Sequence, residues 1–158
     1  MNDISSKNQK LDTWNTQKKK ISRHAITDTT SLNNLHLRQG TIVWATLGEN
    51  VGFEINKERP VLILSKEQFN RGTATIAPLT THGRINKELT STQFKILKSS
   101  IRDINEEEAD RIAEKSLIKI EQIRTISAAR IGNKIGYVSP ELFNLIKLRI
   151  KTLFDLKN

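Results

Sequence analysis

The chain has 158 residues, which suits one domain with a modest core. Its 26 lysines and arginines outnumber its 17 acidic residues, and the resulting formal net charge of +9 favours polyanionic partners. The absence of cysteine excludes disulfides and thiolate metal sites, the three histidines show no ligand spacing, and no apolar run reaches the ~20 residues that span a bilayer.

Residues 1–37 are polar and basic, with three consecutive lysines near their centre. They lack the apolar segment of a secretory signal, so we expect a cytoplasmic protein that does not enter a membrane. Leu11, Trp14 and Lys18 lie at helical spacing, which favours a short helix around 7–24. The other interpretation is a disordered basic tail.

Short apolar runs bounded by glycine, proline or polar turns predict four strands in the next part of the chain: Thr41–Leu47, 60–65, 73–79 and Ser91–Leu97. The loop 48–59 has two glycines and alternating charge, and we predict that it is mobile. Arg59 and Thr80 lie at strand ends, where sites usually occur. The sequence leaves open whether those two ends are neighbours.

The remainder of the chain begins with an acidic run, Glu106–Asp110, which we predict to be helical with a solvated face. The next predicted elements are strands at Leu117–Glu121 and Ile123–Ile126, or one bent strand, and a short strand near 134–138. Ser139 is a good N-cap, followed by proline at the first helical position. The apolar face of this last helix is predicted from its spacing to contain Leu142, Leu145, Ile146, Ile150, Leu153 and Phe154.

Six or so short strands with a terminal helix fit a mainly β fold of α+β type, a small and strongly bent antiparallel barrel. In such a barrel we expect Trp44 to be a core residue rather than a platform for stacked bases. With aromatic residues at only 5% of the chain, binding of single strands by stacking has little support.

Three sequence motifs occur in a characteristic order: Gly52-Phe53-Glu54 with Arg59-Pro60 and Ala77-Pro78-Leu79-Thr80, then Glu121–Ile126, and last Ser139–Leu142. Together they resemble the MazF/PemK toxins, the ribonuclease toxins of type II toxin–antitoxin systems. The resemblance covers roughly residues 38–156 and implies an SH3-like barrel that pairs into a homodimer. We therefore assign 38–158 to a toxin domain and treat 1–37 as an N-terminal extension.

The resemblance also implies the site. It places the essential arginine at Arg59, the essential threonine at Thr80 and a glutamate that supports activity at Glu54. Lys119 and Glu121 match supporting positions in the second motif, although Glu121 and Arg124 could instead pair with each other or across the dimer. Residues proposed to contact RNA are Asn70, Thr81, Arg84, Lys87 and Gln122, with an ordinary loop role as the alternative for some of them.

No cysteine, G-x-S-x-G serine or paired histidine offers a nucleophile with a base, and consecutive acids on one helix chelate metal poorly. RNA carries its own nucleophile, the 2′-hydroxyl. With the resemblance, these observations make metal-independent cleavage of single-stranded RNA or mRNA the expected function, without a cofactor. The resemblance implies products with 2′,3′-cyclic phosphate and 5′-hydroxyl ends. The expected protein partner is an acidic antitoxin. Two alternatives remain: a CcdB-like toxin that binds gyrase without being an enzyme, and a degenerate, inactive nucleic-acid-binding module.

Overall fold

The computed structural model describes residues 3–157, which form two N-terminal helices, an eight-stranded antiparallel sheet and a C-terminal helix. The helices are α1 (Ile4–Thr27), α2 (Thr29–Asn33), α3 (Glu106–Ala109) and α4 (Pro140–Phe154). The strands are β1 (Thr41–Gly48), β2 (Lys57–Ile63), β3 (Thr73–Thr80), β4 (Gln93–Leu97), β5 (Ile101–Arg102), β6 (Lys115–Lys119), β7 (Arg124–Ser127) and β8 (Ile131–Val138). The spatial order is β4-β6-β3-β2-β1-β8-β5, with β7 also paired to β3.

The sheet bends into a nearly closed barrel, which confirms the predicted fold class. Successive strand residues are buried on opposite faces of the sheet: in β1, Ile42 packs on one face and Val43 on the other. One face carries a cluster that includes Phe143 and Ile146 of α4. The other face is covered by the N-terminal segment, which contributes the buried Leu32 and Leu37.

The N-terminal segment is helical, so the disordered-tail interpretation is wrong. Helix α1 has an N-cap at Asp3, whose carboxylate accepts the Ser5 N–H. Its partly buried side chains include Lys7, Trp14 and Ile21, spaced seven residues apart. This spacing presents one stripe of the helix to the barrel every two turns.

Trp14 is the main contact of that stripe. Its ring packs against Gly48 so closely that a Cβ at this glycine would lie 2.2 Å from Trp14 Cζ2. Gly48 also has φ of +92°, a conformation that side chains disfavour. The Arg130 guanidinium lies 5.4 Å from the centroid of the Trp14 ring. Since Gly48 ends β1, this packing joins α1 to the barrel.

The other elements lie close to their predicted positions, with four differences. Strand β2 begins at Lys57 rather than at position 60, so Arg59 lies within the strand, paired with Ala45, and not before its first residue. The strand β5 was not predicted, and the predicted strand near 134–138 is longer, beginning at Ile131. The two strands flanking Ile120–Gln122 are separate, because this segment forms a 3₁₀ turn. Helix α4 begins as predicted, with the Ser139 Oγ accepting the Leu142 N–H at 3.1 Å.

The predicted apolar face of α4 is too wide. Phe143 and Ile146 are buried, whereas Leu145 is 51% exposed and Phe154 is 56% exposed. The barrel covers only one side of the helix, so spacing alone overestimates how many apolar residues it buries.

Candidate functional site

Arg59 and Thr80 lie just beyond the last pair of the β2–β3 ladder. Strands β2 and β3 are antiparallel, and their pairing ends at Val61 and Pro78. Arg59 precedes Val61 by two residues and Thr80 follows Pro78 by two, and there β2 pairs with β1 and β3 with β6. Both residues line the same cavity. The structure therefore brings together the two residues to which the sequence assigned the chemistry.

A cavity of about 200 Å³ lies at these strand ends, and Arg59 and Thr80 both contribute to its wall. Its lining also contains neighbours that point to the opposite face of the sheet, such as Pro60 and Leu79. The cavity thus opens around the strand ends rather than on one face alone. Its other polar lining residues are Glu58, Thr81, Arg111 and Ser116.

Arg59 and Thr80 each make one side-chain hydrogen bond and keep further hydrogen-bonding capacity. The Arg59 Nε donates a hydrogen bond to the Asn56 carbonyl at 3.0 Å, which holds the side chain and leaves its terminal N–H groups for a ligand. Thr80 is buried, and its Oγ1 accepts the His82 N–H at 3.1 Å. The Thr80 hydroxyl can still donate its own hydrogen. Such a pair suits a bidentate phosphate contact with one further donor.

Lys119 and Glu121 lie on the same side of the sheet. Thr80 pairs with Leu117 of β6, and Lys119 follows two residues later on the same face. The Lys119 Nζ lies 3.5 Å from the Glu121 carboxylate. Glu121 pairs with this lysine and not with Arg124, whose Nη2 donates to the Leu47 carbonyl at 3.5 Å. Pairing of Glu121 with Arg124 within the chain is therefore wrong.

Gln93 joins this group, although no sequence motif indicates it. It is buried opposite Lys119 and donates from Nε2 to the Glu121 carboxylate at 3.4 Å. Its Oε1 is buried without a hydrogen-bond partner among residues 3–157. Only the register of β4 against β6 reveals this neighbour, and register is not readable from either strand alone.

Glu54 lies outside the cavity, on the exposed part of the segment 49–56. Its carboxylate accepts the Val51 N–H at 3.2 Å. Gln122 binds the same segment, since its Oε1 accepts the Ile55 N–H at 2.7 Å and its Nε2 donates to the Phe53 carbonyl at 2.9 Å. Of the loop 48–59 that the sequence predicts to be mobile, residues 57–59 belong to β2, and the rest is bonded to Gln122 and, through Asn56, to Arg59.

The other predicted RNA contacts fall into two groups. Thr81 lines the cavity, and Arg84 and Lys87 are exposed in the loop that follows it. Asn70 is buried: its Nδ2 donates to the Leu37 carbonyl at 2.6 Å, and its Oδ1 accepts from the Ser65 hydroxyl at 2.5 Å. These bonds give Asn70 a structural role in tying the N-terminal segment to the barrel.

A second polar network borders the cavity, and the sequence did not predict it. Glu108 is buried, so the expectation of a solvated acidic face is wrong for this residue. Its carboxylate accepts the Trp44 Nε1–H at 2.6 Å and an Arg111 N–H at 2.8 Å. The Arg111 guanidinium also lies 4.1 Å from the Trp44 ring centroid and pairs with Glu58. Trp44 is accordingly half-buried beside the cavity rather than a closed core residue.

The charge state of Glu108 follows from its donors. The hydrogen bond from Asn133, at 2.8 Å, lowers the pKa of Glu108, and those from Trp44 and Arg111 act in the same direction. Burial opposes them by favouring the neutral form. The donors prevail, so Glu108 is a carboxylate that orders one wall of the cavity.

Two further observations concern residues 3–157. They contain no group of three or more histidine, cysteine or acidic side chains placed to hold a metal ion. None of their helices is long and apolar enough to cross a membrane.

The chain is thus a strongly basic, small antiparallel barrel that has Arg59 and Thr80 in the wall of one cavity. The model of the PemK-like, MazF-like toxins of type II toxin–antitoxin systems matches residues 38–154. The chain belongs to this family.

Individual relatives agree with that assignment. The chain is 31% identical over 103 residues to an endoribonuclease MazF of Staphylococcus saprophyticus, covering 65% of this chain and 78% of the relative. Its fold resembles the Mycobacterium tuberculosis toxin MazF-mt6, with a TM-score of 0.55, 22% identity, and coverage of 75% and 99% of the two chains. It also resembles a mycobacterial endoribonuclease in complex with its cognate antitoxin, with a TM-score of 0.54, 17% identity, and coverage of 77% and 97%.

Proposed function

We propose that this chain is an endoribonuclease that cleaves single-stranded RNA, including mRNA, without a metal ion. The observation that carries the proposal is the cavity whose wall contains both Arg59 and Thr80. The curated relative named as an endoribonuclease supports the reaction class.

In the proposed reaction the RNA supplies the nucleophile. The 2′-oxygen attacks the adjacent phosphorus, the new P–O2′ bond forms, and the P–O5′ bond breaks. One proton leaves the 2′-hydroxyl and one reaches the departing 5′-oxygen. The products are a 2′,3′-cyclic phosphate and a 5′-hydroxyl end, so no water is consumed in this step.

Arg59 and Thr80 would stabilise the charge that develops on the phosphorane. The terminal N–H groups of Arg59 can bind two oxygens at once, and the Thr80 hydroxyl can donate to one of them. Because the Asn56 carbonyl already holds the Arg59 Nε, the guanidinium is positioned before RNA binds. Fixed donors of this kind need no reorganisation as the charge appears.

The supporting residues receive narrower roles. Lys119, paired with Glu121, would offer an ammonium hydrogen-bond donor on the same face of the sheet. Glu54 and Gln122 would order the segment 49–56, and with it Arg59, through the bonds described above. Thr81, Arg84 and Lys87 would contact the flanking RNA from the loop after β3.

The proposed protein partner is an acidic antitoxin. The net charge of +9 attracts a polyanionic segment, and one solved structure with this fold contains a toxin bound to its antitoxin. We further propose a homodimer, for which the exposed leucines Leu145 and Leu148 of α4 offer an apolar surface.

Incubation of the purified chain with single-stranded RNA in excess EDTA tests the proposed activity. We expect cleavage. Intact RNA, with or without added magnesium, would contradict the proposal and leave the two non-enzymatic alternatives. A gyrase pull-down then separates those two, because only a CcdB-like toxin retains gyrase.

A further inference from the structure

Helix α1 lies outside the residues that match the family, and it forms one wall of a groove. Its residues Lys10, Thr13 and Gln17 face Thr46, Lys57 and Glu58 of the barrel across a space of about 490 Å³. Trp14, packed on Gly48, lies in the same lining. The groove therefore exists only because α1 is bound to the barrel.

This groove continues into the candidate active site. Glu58 lines both the groove and the cavity that contains Arg59 and Thr80. Lys57 and Glu58 directly precede Arg59 in β2, and Glu58 pairs with Thr46 across the sheet. RNA bound at Arg59 would therefore reach the groove at Glu58 or Lys57, the two residues of β2 next to Arg59.

The charges in the groove favour a polyanion. Glu49 forms an ion pair with Lys7, and Glu58 forms one with Arg111. The hydrogen bond from Lys7 holds the pKa of Glu49 below its ordinary value, so this pair is ionic. Lys10 and Lys57 make no salt bridge within residues 3–157, although the charges of both help to lower the pKa of Glu49. Since Glu49 and Glu58 are already paired with Lys7 and Arg111, the surplus charge at the groove is positive.

The helical wall is suited to an extended ligand. Ser6, Lys10, Thr13 and Gln17 follow one another at spacings of three and four residues, so they share one flank of α1. Hydroxyl, amide and ammonium groups in a row can bind successive phosphate and sugar oxygens without reading bases.

We propose that the groove between α1 and the β1–β2 edge binds the single-stranded RNA backbone that flanks the cut. The inference rests on the proposed endoribonuclease function and extends it. The α1 helix then acts as a second RNA-binding wall, which lengthens the bound stretch of substrate beyond Arg59 and Thr80.

The test compares two lengths of 2′-O-methyl RNA, which cannot be cleaved, each carrying a cut site mapped on bulk mRNA. The shorter RNA has ~3 nucleotides and can occupy only the site at Arg59. The longer RNA has ~12 nucleotides, a length within the range that small barrels bind. We expect Lys10→Ala to weaken the longer RNA about fivefold at low salt, and more than it weakens the shorter one. The slope of log affinity against log salt for the longer RNA should fall by about 0.7, the value for one phosphate contact.

The matched control is Lys19→Ala, which removes the same charge from an exposed position on the far side of α1. This variant should bind the longer RNA with an affinity within about twofold of wild type, because it loses only one weak long-range charge interaction. Equal effects of the Lys10 and Lys19 variants would overturn the inference, because they would reflect net charge alone.

Three further outcomes distinguish failure of the inference from failure of the proposed function on which it rests. If Lys10→Ala weakens an acidic antitoxin peptide and leaves the longer RNA unaffected, the groove belongs to the antitoxin and the inference fails. If the wild-type protein binds neither RNA, the result contradicts the proposed endoribonuclease function, on which the inference rests. If wild type binds both lengths equally well, only the groove is refuted.

Discussion

Arg59 and Thr80 line one cavity, each two residues beyond the last β2–β3 pair, Val61 with Pro78. The two residues are 21 positions apart in the sequence, and the sequence alone left their proximity open. Because both belong to the wall of the same cavity, we expect one phosphate bound there to reach both side chains. This arrangement is the structural basis of the proposed chemistry.

Arg59→Ala should abolish most of the RNA cleavage while leaving the fold intact, because the side chain is only partly buried at a strand end. Loss of one such donor typically slows a reaction about 100–1000-fold. Arg59→Lys should restore little of the rate, since lysine lacks the planar fork. Single-turnover cleavage rates and circular dichroism measure both effects.

The control for this variant is Arg71→Ala, which removes an exposed arginine before the opposite end of β3. It should cleave at nearly the wild-type rate. A folded Arg59→Ala protein that also does so would refute the site assignment.

Glu108→Gln should destabilise the protein near pH 7, because it removes the carboxylate that accepts from Trp44, Arg111 and Asn133. The folded-state pKa of Glu108 lies below its ordinary value. Its contribution to stability is therefore complete above about pH 4.3 and is lost as the pH falls through the lower folded-state pKa. Urea unfolding at several pH values measures the difference between variant and wild type.

The exposed neighbour Glu107 provides the comparison, and Glu107→Gln should change the urea midpoint little at any pH. A Glu108→Gln difference that stays constant down to low pH would show that the ionised carboxylate is not the stabilising group.

Gly48→Ala should destabilise the protein by about 1–3 kcal/mol, since the new methyl group would both strain the backbone and collide with Trp14. The collision is absent when Trp14 is replaced by alanine, so Gly48→Ala should cost less in that background. Unfolding free energies of the four proteins in this double-mutant cycle give the coupling directly. Additive effects would mean that Trp14 does not hold α1 on Gly48.

An acidic antitoxin peptide and an uncleavable RNA should compete for the toxin, because both are attracted to the same basic face around Arg59. Titrating each ligand against the other at one salt concentration measures this competition. Raising the salt should weaken both ligands. Saturation by both together, with neither affinity changed, would place the antitoxin on another surface.

Much of the barrel was predictable because its strands and α4 are short, periodic and bounded by strong signals. Ser139 with proline after it marks the start of α4, and the apolar run after position 60 marks β2. The same locality explains why Arg59 and Thr80 could be selected, since each belongs to a motif at a strand end. Their mutual position required the register, which depends on pairing between distant segments.

The unpredicted features all depend on tertiary contacts. The sequence favours helix α1 as one of two interpretations but does not predict its position on the barrel, where Trp14 packs on Gly48, a residue 34 positions away. Glu108 looks like part of a solvated acidic run until Trp44 and Asn133 are placed beside it. Asn70 resembles a loop residue until the N-terminal segment covers it. No local sequence pattern predicts these contacts between distant residues.

End-group analysis of RNA cut by the wild-type chain in excess EDTA tests the central claim most directly. Attack by the 2′-hydroxyl predicts fragments that end in a 2′,3′-cyclic phosphate and begin with a 5′-hydroxyl. Fragments with 5′-phosphate and 3′-hydroxyl ends, or cleavage that requires added magnesium or manganese, would contradict the proposed chemistry at Arg59 and Thr80.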